Sequence, residues 1–170
     1  GIVQRFGREA RAASAIQHPG IVEVLDLDQS EDGVPFLVME FLDGEPLAKR
    51  IVSRGRLSQD ETVAILRQLL EALDAAHAHG VVHRDIKPDN VMIDQHGTIK
   101  IADLGLALSD EEDASKIVGT PHFMSPEQVL GGDIDGRSDI YAMGVMLFEM
   151  LTGKVPFTGD NPMQVMLKHI

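Results

Sequence analysis

The fold of this chain is decided by the stretch HRDIKPDN at residues 83–90, which is followed by the tripeptide DLG at residues 103–105. The two stretches supply carboxylates, a lysine and an asparagine on either side of a short intervening segment. Phosphoryl transfer from a metal-bound nucleotide needs such groups, because the triphosphate and Mg²⁺ must be held, a hydroxyl aimed and charge neutralised. The spacing of these residues therefore suits that chemistry.

Four side chains in the two stretches suit one task each. Asp85 can accept a hydrogen bond from an incoming hydroxyl and take its proton late in the reaction. Lys87 would place a compact positive charge beside the transferring phosphoryl group. Asn90 and Asp103 offer hard oxygen ligands from two segments, which suits Mg²⁺ because this ion takes few protein ligands. Taken singly, each residue is also explained as a turn or surface side chain.

Taken together and in this order, the residues resemble the Ser/Thr protein kinase family, whose signature contains H-R-D-L-x-x-x-N and D-F-G. The resemblance runs over nearly all 170 residues and looks closest to the bacterial, eukaryotic-type branch. It implies an α+β, two-lobed fold that transfers the γ-phosphate of ATP, with Mg²⁺, to Ser or Thr hydroxyls of proteins. By resemblance, Asp85 is the catalytic base, Lys87 contacts the γ-phosphate, and Asn90 and Asp103 hold magnesium.

The segment GTPHFMSPE at residues 119–127 extends the resemblance in the expected order along the chain. In the family this segment seats the substrate residue that follows the phosphoacceptor. Most kinases show Ala-Pro-Glu where this chain has Ser-Pro-Glu. The resemblance also implies that Thr120 hydrogen-bonds Asp85 and Lys87.

Two further residues carry predictions about the catalytic loop. Asp139 begins an otherwise apolar helix, and a charge buried there is costly unless backbone N–H groups satisfy it. The matching aspartate of the family braces the catalytic loop, and an exposed aspartate favoured by the helix dipole is the alternative. Arg84 resembles kinases whose activation segment is ordered by phosphorylation, which predicts autophosphorylation at Ser109 or Ser115, with Ser115 preferred.

The resemblance also implies where the nucleotide base lies. Backbone groups of Glu40 and Leu42 would face adenine, Met39 would lie behind it as gatekeeper, and Met92 would close the other face. For the two methionines, ordinary core packing is the more common explanation. Their position between the stronger motifs favours the pocket.

The chain is predicted to divide into two lobes near its DGEP sequence at residues 43–46, where the pattern of apolar residues breaks. Residues 1–42 are expected to form a partial, β-rich N-lobe with a helix over 6–17 and a hairpin of 21–28 with 34–41. Residues 43–170 are expected to form an incomplete, mainly helical C-lobe. Its predicted elements are a capped helix over 58–80, a short strand over 81–83, a hairpin of 91–93 with 98–102, and a helix over 139–151 that is apolar nearly all round and therefore buried. The first of these helices is expected to bury one apolar stripe, formed by Leu66, Leu69, Leu70, Leu73 and Ala76.

The chain departs from the complete family pattern at several places. No glycine-rich strand precedes Glu9, and the first lysine is Lys49, far past the strand where the phosphate-pairing lysine belongs. Since Glu9 would pair with that lysine, the chain alone is expected to bind ATP poorly and phosphorylate little. Leu104 replaces the usual phenylalanine, which should tune activity without abolishing it. The chain is therefore expected to be a kinase domain truncated at both ends.

Composition limits the partners and the compartment. With 15 basic and 27 acidic residues the formal net charge is -12, which argues against nucleic acid or an anionic membrane as partner. The absence of cysteine excludes disulfides and thiolate sites and fits a cytoplasmic location. The longest apolar run, at 140–148, is too short to cross a bilayer, and a membrane anchor elsewhere in a longer protein stays open. Protein substrates with Ser or Thr acceptors are the expected partners.

Two other functions remain as alternatives. A non-catalytic kinase-like binding module is favoured by the missing lysine and opposed by the presence of Asp85, Asn90 and Asp103. A small-molecule kinase of the aminoglycoside type shares the His-x-Asp sequence and the later metal aspartate. The peptide-docking segment at residues 119–127 opposes that second alternative, because such an enzyme has no use for it.

Overall fold

The computed structural model describes residues 15–104 and 120–170. The described strands form two small antiparallel sheets, one of two strands and one of three. The strands are β1 (Val24–Gln29), β2 (Pro35–Met39), β3 (Glu45–Pro46), β4 (Val91–Ile93) and β5 (Ile99–Ile101). The helices are α1 (Leu47–Arg54), α2 (Gln59–Ala78), α3 (Pro126–Leu130), α4 (Gly136–Thr152) and α5 (Pro162–Leu167), with 3₁₀ turns at Pro88–Asn90 and Pro121–Phe123.

The first sheet is the hairpin of β1 and β2, which confirms the hairpin predicted from the sequence. The strands run antiparallel, with Leu27 opposite Leu37. Gly33 has φ +77 in the connecting turn, a left-handed conformation that favours glycine. The predicted helix over 6–17 falls largely outside the described residues, and residues 15–17 are not helical.

The second sheet holds β3, β4 and β5 in that order, and the predicted pairing of β4 with β5 is confirmed. The chain enters this sheet through Gly44, where an added Cβ would lie 2.7 Å from the Ile93 carbonyl oxygen. The sheet is also joined to the segment before β1, because the Val22 N–H donates to the Ile101 carbonyl at 3.0 Å. These contacts connect the hairpin region to the elements that carry the site.

The start of helix α2 agrees with the sequence prediction, whereas the face that it buries differs from the predicted one. The Ser58 hydroxyl accepts from the Glu61 N–H, as expected of an N-cap. The Glu61 carboxylate forms an ion pair with Arg54, in which Glu61 Oε2 lies 2.8 Å from Arg54 Nη1. Leu69 is fully buried, whereas Leu70 is 47% exposed, so the predicted apolar stripe was wrong at Leu70.

The core lies where α2 packs against α4 and the second sheet. Its fully buried residues include Leu69 of α2, Ile99 of β5 and Met146 of α4. The predicted burial of α4 on all sides was wrong, since Ile140 and Phe148 are about half exposed. None of the helices within the described ranges combines the length and the hydropathy needed to span a bilayer.

The strand predicted over residues 81–83 is absent from the described chain, which is irregular there. The reason is visible in the backbone hydrogen bonds. Val81 N–H donates to the carbonyl of Ala76, and His83 N–H donates to the side chain of Asp139 rather than to a neighbouring strand. A β-type sequence was therefore overridden by a tertiary contact.

Candidate active site

The loop that carries Asp85 is held in an unusual backbone conformation. Arg84 has φ +69, which costs a non-glycine residue on the order of 1–2 kcal/mol. Both peptide groups of Arg84 are held: its N–H donates to Asp139 Oδ1 at 2.9 Å, and its carbonyl accepts from Gln128 Nε2 at 2.7 Å. Two hydrogen bonds of about 1 kcal/mol each can offset such a strain.

Asp139 is 1% exposed, and its carboxylate is satisfied by three donors. The backbone N–H groups of His83 and Arg84 donate to its two oxygens at 2.9 Å each. His77 Nε2 lies 2.7 Å from Oδ2 and supplies the third contact. The predicted bracing of the catalytic loop is thus confirmed, and the exposed alternative is wrong.

His83 is a buried, neutral part of the same loop. Its Nε2 donates to the Ala102 carbonyl at 2.9 Å, and its Nδ1 accepts from the Asp85 N–H at 3.2 Å. One ring nitrogen therefore carries a proton and the other does not. Burial lowers the pKa of His83, although the carbonyl of Ala102 and nearby carboxylates, Asp139 first, oppose the shift.

Asp85, Lys87 and Asn90 form one cluster on the loop. Lys87 Nζ donates to Asp85 Oδ2 at 2.6 Å. Asn90 Nδ2 donates to the same carboxylate oxygen at 3.1 Å and to the Asp85 carbonyl at 2.8 Å. The sequence therefore predicted correctly that these three side chains meet, whereas their catalytic roles stay predictions.

Asn90 and Asp103 have the chemistry of a magnesium site. Among the described residues both hydrogen bonds of the Asn90 side chain use Nδ2, so its Oδ1 can act as a hard oxygen ligand there. The Ala102 N–H donates to the Asn90 carbonyl at 2.8 Å, so a backbone hydrogen bond holds the residue before Asp103 next to Asn90. Asp103 is exposed, with φ +58. One amide and one carboxylate fit Mg²⁺, whose remaining ligands are phosphates and waters.

The described part of the predicted peptide-docking segment is residues 120–127, called the docking segment below. It is joined to the catalytic loop through Gln128, the residue that follows it. The Ser125 hydroxyl and the Gln128 side chain form a reciprocal capping box at the start of α3. Gln128 Oε1 accepts from the Ser125 N–H at 2.9 Å, while its Nε2 makes the bond to Arg84. Sequence reasoning missed Gln128, although the Ser-x-x-Gln pattern was a signal for the cap.

Glu127 is satisfied within the described chain. The Ser138 hydroxyl donates to its carboxylate, and this bond is the main cause that lowers the pKa of Glu127. Thr120 lies directly before the turn at Pro121–Phe123, and its carbonyl accepts from the Phe123 N–H at 3.1 Å. Its predicted bonds with Asp85 and Lys87 stay predictions. Glu9, Ser109 and Ser115 lie outside the described residues.

A cleft of about 240 Å³ lies where the hairpin meets the second sheet. It is lined by residues 40–44 and 92–94 with Thr98 and Lys100, so Glu40, Leu42 and Met92 meet in one place. Met39 lies one residue before the cleft, in β2 opposite Val24.

The Glu40 side chain has a structural partner that sequence reasoning missed. Lys100 Nζ donates to the Glu40 carboxylate, and the Glu23 N–H donates to it at 2.9 Å. Burial would raise the pKa of Glu40, but these hydrogen bonds and the Lys100 charge together lower it. The Glu40 carboxylate thus joins β5 to the end of β2, and its backbone remains the group predicted to face adenine.

Comparison with known proteins places this chain in a family. The model of the protein kinase domain matches residues 2–170. Serine/threonine-protein kinase PrkC of Bacillus subtilis (strain 168) is 41% identical over 172 residues, which cover 99% of this chain and 26% of that protein. The probable serine/threonine-protein kinase PknB of Lactococcus lactis subsp. lactis (strain IL1403) is 42% identical over 171 residues, covering 98% and 27%. PknB of Mycobacterium tuberculosis (strain ATCC 25177 / H37Ra) is 37% identical over 175 residues, covering 98% and 28%.

The chain belongs to the protein kinase family, and the resemblance predicted from its motifs is confirmed. Its relatives are named as bacterial Ser/Thr protein kinases, and protein kinases use ATP and Mg²⁺. The chain spans about a quarter of the length of these relatives.

Proposed function

We propose that the protein carrying this chain transfers the γ-phosphate of Mg-ATP to Ser and Thr hydroxyls of other proteins. The observation that supports this most is the cluster of Asp85, Lys87 and Asn90 around one carboxylate oxygen. A structural ion pair would need only the lysine. The additional amide fixes the rotamer of Asp85, which a group that must meet a substrate hydroxyl requires.

Each residue of the cluster has a role in the proposal. Asp85 accepts a hydrogen bond from the substrate hydroxyl and takes its proton as the hydroxyl oxygen bonds to the γ-phosphorus, while the bond from that phosphorus to the bridging oxygen breaks and ADP leaves. Lys87, which forms an ion pair with Asp85 in this structure, can donate to the γ-phosphate from the same position and stabilise the negative charge on the phosphate oxygens. Asn90 Oδ1 and the Asp103 carboxylate would hold Mg²⁺, which neutralises the phosphate oxygens when bound.

The remaining predicted residues complete the nucleotide and peptide sites. Backbone groups of Glu40 and Leu42 would face adenine in the cleft, with Met92 below the base and Met39 behind it. Thr120 would orient Asp85 at the docking segment. We also propose that residues 1–42 belong to the small lobe, with Glu9 completing the phosphate site, and residues 43–170 to the large lobe. A kinase domain of this kind would act in the cytoplasm, where ATP is available, on protein partners.

The experiment is phosphate transfer from radiolabelled ATP to a Ser/Thr peptide by the natural full-length protein. We expect Asp85→Asn to lower kcat by about 100-fold or more, because general-base catalysis contributes on that order. The matched control is Asp74→Asn, the same change at an exposed position of α2, which should leave kcat unchanged.

Two results would count against the proposal. Undiminished transfer by the Asp85→Asn variant would remove Asp85 as the base. A wild-type protein that binds ATP without transferring phosphate would favour the non-catalytic binding module instead.

A further inference from the structure

Arg50 is a mostly buried arginine of α1 that the proposed reaction does not use. Its side chain is only 12% exposed. A charged group that is withdrawn from water in this way is costly unless other groups pair with it. The partners that Arg50 has in this structure come from three different segments of the chain.

Each of the three nitrogens of the Arg50 guanidinium has a partner. Nε donates to Glu45 Oε1 at 3.1 Å, at the first residue of β3. Nη2 donates to the Asp94 carbonyl at 3.1 Å, directly after β4. Nη1 forms an ion pair with Glu61 of α2, whose Oε1 lies 3.7 Å away. The planar fork of an arginine can hold partners on several sides at once, which the point charge of a lysine cannot do.

The two hydrogen bonds of Arg50 join the two walls of the cleft, which are residues 40–44 and residues 92–94. Asp94 belongs to the second wall, and Glu45 directly follows the first. The walls also meet in the pairing of Glu45 with Ile93, but β3 is only two residues long. At Gly44 they approach so closely that an added Cβ would clash with the Ile93 carbonyl. A short stretch of backbone and the Arg50 side chain therefore hold the walls together.

We infer that Arg50 is a positioning residue for the nucleotide base, because its guanidinium ties the Glu45 carboxylate to the Asp94 carbonyl and so sets the distance between the two walls of the cleft. Arg50 is not one of the residues that line the cleft, so it acts through Glu45 and Asp94. This inference rests on the proposed function, which places adenine in that cleft.

The inference predicts which kinetic constants change when Arg50 is replaced. A cleft whose walls are held less firmly is less preorganised and should bind the base more weakly. The KM for ATP and the inhibition constant of adenosine, which carries the base without phosphates, should therefore rise by the same factor. The kcat and the KM for a peptide substrate should stay unchanged. An arginine that only stabilised α1 would lower thermal stability without this selective effect on the base.

The test compares Arg50→Gln with Arg54→Gln in the natural full-length protein. Arg54 is a matched control, because it lies one turn later in α1 and pairs with the same Glu61, and its hydrogen bonds in the described chain go to that carboxylate alone. We expect Arg50→Gln to raise the ATP KM by about 5-fold or more, the effect of losing one hydrogen bond, while Arg54→Gln stays near wild type. Arg50→Lys, which keeps the charge and cannot bridge both partners, should give a smaller rise.

Calorimetric titration with Mg-ATP gives a second readout that needs no phosphate transfer. The dissociation constant should rise in Arg50→Gln by the same factor as the KM. Equal ATP affinity in Arg50→Gln and Arg54→Gln would overturn the inference while the transfer activity stands. If Arg50→Gln does not fold, wild-type affinity in Arg50→Lys overturns it instead. A wild-type protein that binds Mg-ATP but transfers no phosphate, and that loses affinity in Arg50→Gln, would sink the proposed catalysis and still support the role of Arg50.

Discussion

His83 is completely buried although it lies next to three carboxylates, those of Asp85, Asp103 and Asp139. Their charges favour a protonated ring, yet burial outweighs them and lowers the pKa of the histidine. The hydrogen bonds explain how the neutral ring is tolerated, because each nitrogen has a partner of the correct kind. The catalytic loop therefore contains a group that must stay uncharged.

This requirement predicts that stability falls in mild acid. The folded pKa of His83 is below the unfolded value of about 6.5, so the unfolded chain binds more protons as the pH drops through that value. We expect the free energy of unfolding in urea to decrease below about pH 6.5, by up to ~1.4 kcal/mol per pH unit for each such histidine. His169, whose pKa is also lowered, contributes in the same direction.

The matched control for this prediction is His169→Gln, which removes one of the two contributors. The pH slope should become shallower in that variant and keep its sign. A free energy of unfolding that is constant or increases between about pH 6.5 and pH 5 would contradict the prediction.

At the scale of elements, Gly153 at the C-cap of α4 and Gly144 within that helix have opposite requirements. Gly153 follows the last helical residue with φ +75, and an added Cβ would lie 1.8 Å from the Gly55 carbonyl oxygen. Gly144 lies in the exposed middle of the helix, where an added Cβ would meet nothing within 4 Å. The first glycine is required by geometry, whereas the second only adds freedom to the unfolded chain.

Alanine substitution should therefore have opposite effects at the two positions. Gly153→Ala should lower the free energy of unfolding by about 2 kcal/mol or more, from the left-handed backbone and the clash. Gly144→Ala should raise it by roughly 0.5–1 kcal/mol, since alanine is the better helix former. Thermal unfolding followed by circular dichroism measures both, and effects of equal sign would contradict this account.

The sequence predicted those elements whose signals are local. The hairpin of β1 and β2, the Ser58 cap and the pairing of β4 with β5 each follow from residues that are neighbours along the chain. The strand at 81–83 was predicted wrongly, because the His83 N–H donates to a carboxylate from a distant helix and the Val81 N–H donates to the carbonyl of Ala76. The exposure of Leu70 and Ile140 likewise depends on which faces of α2 and α4 meet.

The difference between local sequence signals and contacts from distant residues also applies to the site. Asp85, Lys87 and Asn90 lie within one short loop, so their motif was sufficient to predict their meeting. Gln128 reaches that loop from α3, and His77 of α2 contacts Asp139, which in turn binds the loop. Nothing in the sequence around either residue predicts these contacts. Residues that position others across the fold were therefore the ones that sequence reasoning missed.

At the scale of the whole molecule, the dominant property is its charge. The formal net charge is -12, and the chain contains almost twice as many acidic as basic residues. Such a field attracts cationic ligands and repels anionic ones over a distance that salt shortens. If the proposed function holds, a substrate peptide would experience this field before it reaches the proposed docking segment.

This charge predicts a dependence on both peptide charge and salt. A lysine-rich Ser/Thr peptide should have a lower KM than an acidic peptide of equal length. Raising the salt from about 0.05 M to about 0.3 M should increase the KM of the basic peptide several-fold and lower that of the acidic one. A neutral peptide is the control, and identical salt responses for all three would contradict the prediction.

The side-chain amide of Gln128 uses both its oxygen and its nitrogen in hydrogen bonds to other segments of the chain. Its oxygen accepts from the Ser125 N–H at the start of α3 and its nitrogen donates to the Arg84 carbonyl, so this one side chain joins the proposed docking segment to the loop that carries the proposed base. Glutamate, an equally good helix capper, could keep only the first of these bonds, because a carboxylate cannot donate to a carbonyl. Replacing Gln128 with glutamate would therefore keep the helix cap and remove the link to Arg84, which would separate the proposed docking segment from the proposed catalytic base.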